Sequence, residues 1–490
     1  MQGNTAVACV GMYKSVSMLV VVAMLSACST VITNPTESLR DEAKSQRIHA
    51  DSLQMIMASA TPLDQDTIDA LQGLVYRSGY DEELRLEGMR YLLRVDRGRL
   101  LRTLRQRLPR TTDHDWLRSL CHFVAQYDMV ELDAALVSSW GRPWSGSLPE
   151  TQRPEFLALE RMHGPGGSVI VVWETFLGAV KPSENGLRFR CWDLLHRLGA
   201  RDELIELVQG EDASRSEHPT LHGVHQAAVD FGTIPWNREE LLWVHKLTEP
   251  SRRGFWLEAQ RATSQLTSQR RRNLELRDLP MAVAAAKHQP DLLTQTDAQL
   301  TQSVAGRLQG RRHYKEQDGG FLPGADPPHD LRSHADALTW GDLAAIAIAM
   351  DAMQLPSVRH HLFDYANRDR LDDTTEYGGI VALDEQGRFE ILEFPPRFRV
   401  HDLRFEASQA MFDAGYTALF HFHNHAQKYR NKAHAGPGLG DMKYADATRA
   451  NCLVLTYVND HTINVDYYRH DGLLIDLGLV YQPGMEPDQS

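Results

Sequence analysis

The chain changes its hydrophobic period once along its length, and that change limits what it can fold into. From roughly Asp51 to Leu308 apolar residues recur at helical spacing. In Asp81–Leu108, for instance, Leu84, Met89, Leu92, Leu93, Leu100, Leu101, Leu104 and Leu108 fall largely on one stripe, while Arg85, Arg94, Arg102 and Arg105 occupy the others. Pro109 and Thr111–Asp113 then stop and restart the chain, and Asp113 is placed to cap a helix that buries Trp116, Leu117, Leu120 and Val124. Similar units recur at Met129–Trp140, Leu187–Leu198, Asp202–Gln209 and Arg238–Leu247. This pattern predicts an all-α helical array over residues 51–310, loosely HEAT-like. Its spacing is uneven and no repeat consensus emerges, so a plain helical domain fits equally well.

After Glu376 the period shortens to that of strands. Gly378–Leu383 and Phe389–Phe394 flank the turn Asp384–Gly387 and predict a hairpin; Tyr416–His423, Leu453–Val458, Thr462–Tyr468 and Leu473–Leu477 read as further strands. Helices are expected near Ala407–Asp413 and from Asp441 to Arg449. Residues 336–482 therefore read as an α/β domain with a mixed sheet, followed by a tail over 483–490. Between the two regions, Gln317–His329 is dense in helix breakers, and a linker is expected over 311–335. A chain of 490 residues needs more than one core in any case.

The N-terminus reads as an address. Lys14 precedes the short apolar run Met18–Leu25, and Ser26-Ala27-Cys28 follows it, the layout of a secretory signal. Leu25-Ser26-Ala27-Cys28 resembles the bacterial lipobox, in which the cysteine is lipidated and becomes the first mature residue. That resemblance implies a signal peptide over 1–28, a tether over 29–50, and attachment to a membrane through Cys28. Ser29 fits sorting to the outer membrane, facing the periplasm, and the signal is more compact if translation starts at Met12. Of five cysteines, only Cys121, Cys191 and Cys452 lie beyond this region, too few and too scattered for a thiolate cluster or disulfide framework. A net charge of −13 argues against nucleic acid as a partner.

Chemistry concentrates in the strand-forming third. If Tyr416–His425 stays extended, His421, His423 and His425 share one face, because strand side chains alternate. Neutral imidazole is the commonest protein ligand for zinc. Asp441 sits where a Gly/Pro-rich loop meets a predicted helix, either as a ligand or as a simple N-cap. A catalytic zinc takes three protein ligands and keeps a fourth position open, a count that two histidines and one aspartate meet.

The order Glu376-Tyr377-Gly378-Gly379-Ile380, then His423-Asn424-His425-Ala426, then Pro437-Gly438-Leu439-Gly440-Asp441 resembles the JAMM-type (JAB/MPN) zinc metallopeptidase domain. The resemblance covers about residues 340–482. It implies one zinc per chain held by His423, His425 and Asp441, with Glu376 as general base and acid for a water that the ion activates, acting on a peptide or protein substrate. Two departures stand out. Gly438 replaces the family serine that steadies the developing oxyanion, a loss that typically costs about 100- to 1000-fold in rate. Ala426 replaces the usual proline. The loop after His425 is also long and carries Lys428, Arg430, Lys432 and His434, either a basic lip facing substrate or a solvated loop. His421 remains an alternative ligand, and His434 a weaker one.

Three functions follow as expectations: a lipid-anchored zinc hydrolase of peptide or isopeptide bonds in the cell envelope; a catalytically weak or inactive JAB-like scaffold acting through its helical region; or a histidine patch that binds metal without hydrolysis. The last requires Glu376 to lie far from the histidines.

Overall fold

The computed structural model describes residues 31–60, 62–143, 148–210, 218, 220–314, 329–399, 401 and 404–486. Cys28 and the expected signal segment lie outside them, as does most of the breaker-rich stretch before His329. The chain divides into two compact units, with the break between Arg107 and Leu108.

The first unit is helical: Pro35–Arg40, Gln46–Ala58, Gln65–Tyr76, Glu82–Val95 and Arg97–Arg107. The expected tether over 29–50 is therefore folded from Pro35 onward. The Asn34 side chain accepts the Glu37 N–H, which caps the first of these helices. Leu39 on that helix is fully buried, and its carbonyl accepts the Tyr80 hydroxyl at 2.7 Å. Met89, Leu92, Leu100 and Leu104 form the buried stripe that their spacing predicts. Arg85 departs from the solvent-facing pattern of its neighbours. Its guanidinium is buried and donates to the Leu74 and Val75 carbonyls at 2.9 and 3.1 Å, satisfying acceptors that the end of helix Gln65–Tyr76 leaves free.

The second unit holds the remaining helices and a six-stranded sheet. Its strands are β1 (Gly378–Leu383), β2 (Phe389–Phe394), β3 (Phe420–His425), β4 (Cys452–Asn459), β5 (Thr462–Arg469) and β6 (Leu473–Tyr481), in the order β2-β1-β3-β4-β5-β6. Only β3 and β4 run parallel, so the sheet is mixed. The chain is thus mostly helical with an α/β portion at its C-terminal end. No boundary falls at residue 310, however. Ala262, Met281, Leu300 and Leu308 share one core with the helices Trp340–Ala352 and Pro356–Arg370 and with the sheet. The start of the expected linker is also tied down, since Arg311 donates to the Leu477 carbonyl and the Tyr314 N–H to Asp476. Among the described residues no helix is long and apolar enough to cross a membrane.

The period of two divides the sheet by chemistry. Phe420 and Phe422, Leu453 and Leu455, Val465 and Tyr467 register on one face and join the helix-covered core. The other face carries His421, His423 and His425 on β3, with Thr456, Asp466 and Tyr468 on the neighbouring strands. The consecutive glycines of the Glu376 motif have a steric cause. A Cβ on Gly379 would stand 2.2 Å from the Leu392 carbonyl oxygen of β2.

Beside β4 and β5 lies a buried ionic network. Arg277, 1% exposed, donates to Glu275 and Asp342, each at 3.0 Å, to the Tyr467 hydroxyl at 3.1 Å and to the Asn451 side chain. Arg469 also holds Asp342, and His470 and Arg449 hold Glu275. Burial alone would favour a neutral Asp342, but Arg277 and Arg469 keep its carboxyl well below the usual range. The Asn451 carbonyl accepts the His421 N–H at 2.9 Å, which joins this network to the strand that carries the histidines.

Candidate metal centre

β3 starts later than its sequence predicts, at Phe420, because residues 414–418 form a turn. It ends on His425, and there the side chains converge. His423 Nε2 stands 3.2 Å from His425 Nε2. Asp441 Oδ1 is 3.3 Å from His423 Nε2, and its Oδ2 is 3.7 Å from His425 Nε2. A tetrahedron built on 2.0–2.1 Å bonds to zinc has edges of about 3.3–3.4 Å; the His423–His425 and His423–Asp441 Oδ1 separations come close to such edges, while His425 faces the other Asp441 oxygen at the longer distance. Two lone-pair nitrogens 3.2 Å apart repel each other unless a proton or cation lies between them. His425 Nδ1 meets the His434 carbonyl at 2.8 Å, which assigns a proton to Nδ1 and turns Nε2 toward His423 and Asp441.

Glu376 belongs to the same cluster, with a carboxylate oxygen within 4.8 Å of a nitrogen of each histidine. The arrangement in which Glu376 is remote from the histidines is not the one found. Burial raises its carboxyl above the ordinary value, against the pull of His425 and His423. Burial also opposes charge on His425, but the hydrogen bond and charge of Asp441, with Glu376, push it up to about 9. Asp441 is not the N-cap of its helix, Leu439–Thr448. It is the third residue of that helix, and its Oδ2 accepts the Gly438 N–H at 2.7 Å. The one donor that Gly438 could offer in place of a serine hydroxyl is therefore already engaged.

His421 shares the strand face but points elsewhere. Its Nδ1 meets the Tyr444 hydroxyl at 2.8 Å, and its Nε2 packs on Gly415, where a Cβ would stand 2.3 Å away. Burial pushes its imidazole down to about 4. A depressed histidine favours folding above the unfolded value near 6.5 and loses that contribution as pH falls through the folded value. Metal-free protein is expected to lose about 3 kcal/mol between pH 7 and pH 4 from this group. Urea unfolding at the two pH values measures the loss, and His421→Asn should flatten it; an unchanged slope in that variant would refute the assignment.

The long loop is a support rather than a basic lip. Lys428, Arg430 and Lys432 are exposed. Asn431 is 1% exposed; its N–H is fixed by the Tyr457 carbonyl, and its side chain donates to the His425 carbonyl and to Gln427 Oε1. Gln427 in turn donates to Glu376 Oε1 at 2.9 Å. His434 contributes its carbonyl to His425, while its own side chain is exposed. One buried asparagine thus anchors both Gln427, which holds Glu376, and the backbone of His425. Gln427, Asn431 and Tyr444 carry no sequence signal beyond their nearness to the motif, since their roles arise from contacts that only the folded loop and helix make. Ala426 is buried in the core, which accounts for a small apolar residue there.

No family model, no curated protein and no solved structure matches the chain.

Proposed function

We propose that the chain is a zinc-dependent hydrolase of peptide or isopeptide bonds, anchored through Cys28 to the outer membrane of a bacterial envelope and facing the periplasm. The observation that carries the hydrolase reading is the pair of imidazole nitrogens 3.2 Å apart, each with an Asp441 carboxylate oxygen at 3.3 or 3.7 Å, and the Glu376 carboxyl beside them. The JAMM-type resemblance adds the order of the motif, and the lipobox-like Leu25–Cys28 is the basis for the anchor. A bound zinc ion would act as a Lewis acid on water and on the scissile carbonyl. His423, His425 and Asp441 would hold it. Glu376, its carboxyl raised by burial, accepts a proton from the attacking water and returns it to the leaving amine. Gln427 keeps that carboxyl aimed. The helical region, loosely HEAT-like, would supply a recognition surface.

The engagement of Gly438 N–H by Asp441 favours a second reading, a JAB-like scaffold that binds zinc and turns over weakly or not at all. Hydrolysis of a broad peptide panel, with zinc per chain measured in parallel, separates the two. The hydrolase reading expects wild-type turnover and a drop of about 100- to 10,000-fold in Glu376→Gln at unchanged zinc content. Turnover that survives intact in Glu376→Gln would remove the mechanism, and zinc binding without turnover in the wild type would establish the scaffold.

A further inference from the structure

A cavity of about 640 Å³ opens beside the candidate centre, and Glu376, His423 and Asp441 form part of its wall. That volume suits a small peptide or amide. Its remaining wall has two characters. Phe405, Met411 and Phe412 make one part apolar, while Arg397, Arg404 and Lys443 make another cationic. Arg404 is paired with Glu406 at 2.6 Å. Arg397 and Lys443 are exposed, and neither forms an ion pair with a carboxylate among the described residues.

The charge balance of this wall runs against that of the chain. The chain carries −13 overall, yet three carboxylates (Glu376, Glu406 and Asp441) face three basic side chains in the cavity. A divalent ion on the histidines would leave it with an excess of two positive charges. Positive potential inside a walled recess attracts and orients an anionic ligand far more than the same charges do on open surface. The Lys428–Lys432 loop, which the sequence marks as the basic element, does not line this cavity.

We infer that the cavity receives a peptide or amide that carries a carboxylate and an apolar side chain next to the cleaved bond, with Arg397 and Lys443 holding the carboxylate. This substrate class rests on the hydrolase reading. Met411 and Phe412 take the apolar group, and Arg404, already neutralised by Glu406, contributes less.

The test uses the full chain, zinc-loaded and metal-free, with calorimetric titration of N-acetylphenylalanine, N-acetylphenylalanine amide and N-acetylglycine. In the zinc-loaded wild type the phenylalanine carboxylate should bind about tenfold tighter than its amide and about tenfold or more tighter than the glycine probe. Arg397→Gln combined with Lys443→Gln should bring acid and amide within threefold at unchanged zinc content, and thermal unfolding should confirm that this surface double variant is folded. Equal binding of acid and amide by the wild type, or no binding of either, overturns the inference. A preference for the acid that survives in the double variant also overturns it, because the ion and not the cavity wall would then hold the carboxylate. Should the chain take up no zinc and still lose its acid preference in the double variant, the hydrolase reading falls and the anion-selective recess stands.

Discussion

Arg277→Met is expected to destabilise the second unit by about 3–5 kcal/mol, the cost of removing one partner from a buried ion pair. The size follows from what is left behind. Glu275 and Asp342 lose a guanidinium that faces both, in a region where Arg277 itself is 1% exposed, and each buried carboxylate then keeps its full desolvation cost with one fewer cation to offset it. Burial pushes Asp278 up to about 7, despite the nearby Arg277 charge, so it can shed its own charge by taking a proton. Asp342 and Glu275 cannot do so as easily, because Arg469, His470 and Arg449 continue to hold them ionised. Guanidinium unfolding followed by tryptophan fluorescence measures the loss, and a shift below about 1 kcal/mol would contradict the account. Because Asn451 links the network to the His421 backbone, the same variant should also loosen zinc binding.

The second large effect separates two ways of sharing the carboxylates. Asp441→Ala and His423→Ala are each expected to weaken zinc binding by more than the roughly 10- to 100-fold typical of losing an outer hydrogen-bond partner, whereas Glu376→Gln should leave it nearly unchanged. The expectation rests on spacing. One Asp441 oxygen stands 3.3 Å from His423 Nε2 and the other 3.7 Å from His425 Nε2, and Glu376 has one oxygen engaged by Gln427. Glu376, His423 and His425 nevertheless make a set of donor atoms on their own, within 4.8 Å of one another. If Glu376 is the third ligand, the pattern inverts: Glu376→Gln loses zinc and Asp441→Ala keeps it. Competition with a chelator gives the affinities. Thermal unfolding with and without zinc gives an independent measure, because an ion that binds only the folded chain raises the midpoint in proportion to its affinity.

What the amino-acid sequence determines by itself is local. The change of hydrophobic period at Glu376 separates helices from strands because a helix and a strand bring different residue spacings to one face. The order of Glu376, His423, His425 and Asp441 is a property of the chain, and strand alternation alone puts His423 and His425 on the same side. Asp113 caps its helix through the N–H groups of Asp115 and Trp116, contacts that any window of sequence contains.

Tertiary structure decides the rest, because the deciding contacts join residues far apart along the chain. Arg277 meets Tyr467 across 190 positions, and no periodicity foretells that pairing; with it, the expected boundary at 310 disappears. His421 has the same strand phase as His423 and His425, yet the Tyr444 hydroxyl and Gly415 turn it away from the centre. Lys428, Arg430 and Lys432 look in sequence like the basic element of the site, but folding leaves them in solvent and brings Arg397, Arg404 and Lys443 to the cavity instead. Spacing along a chain specifies which residues can share a face; only packing between elements specifies which faces meet.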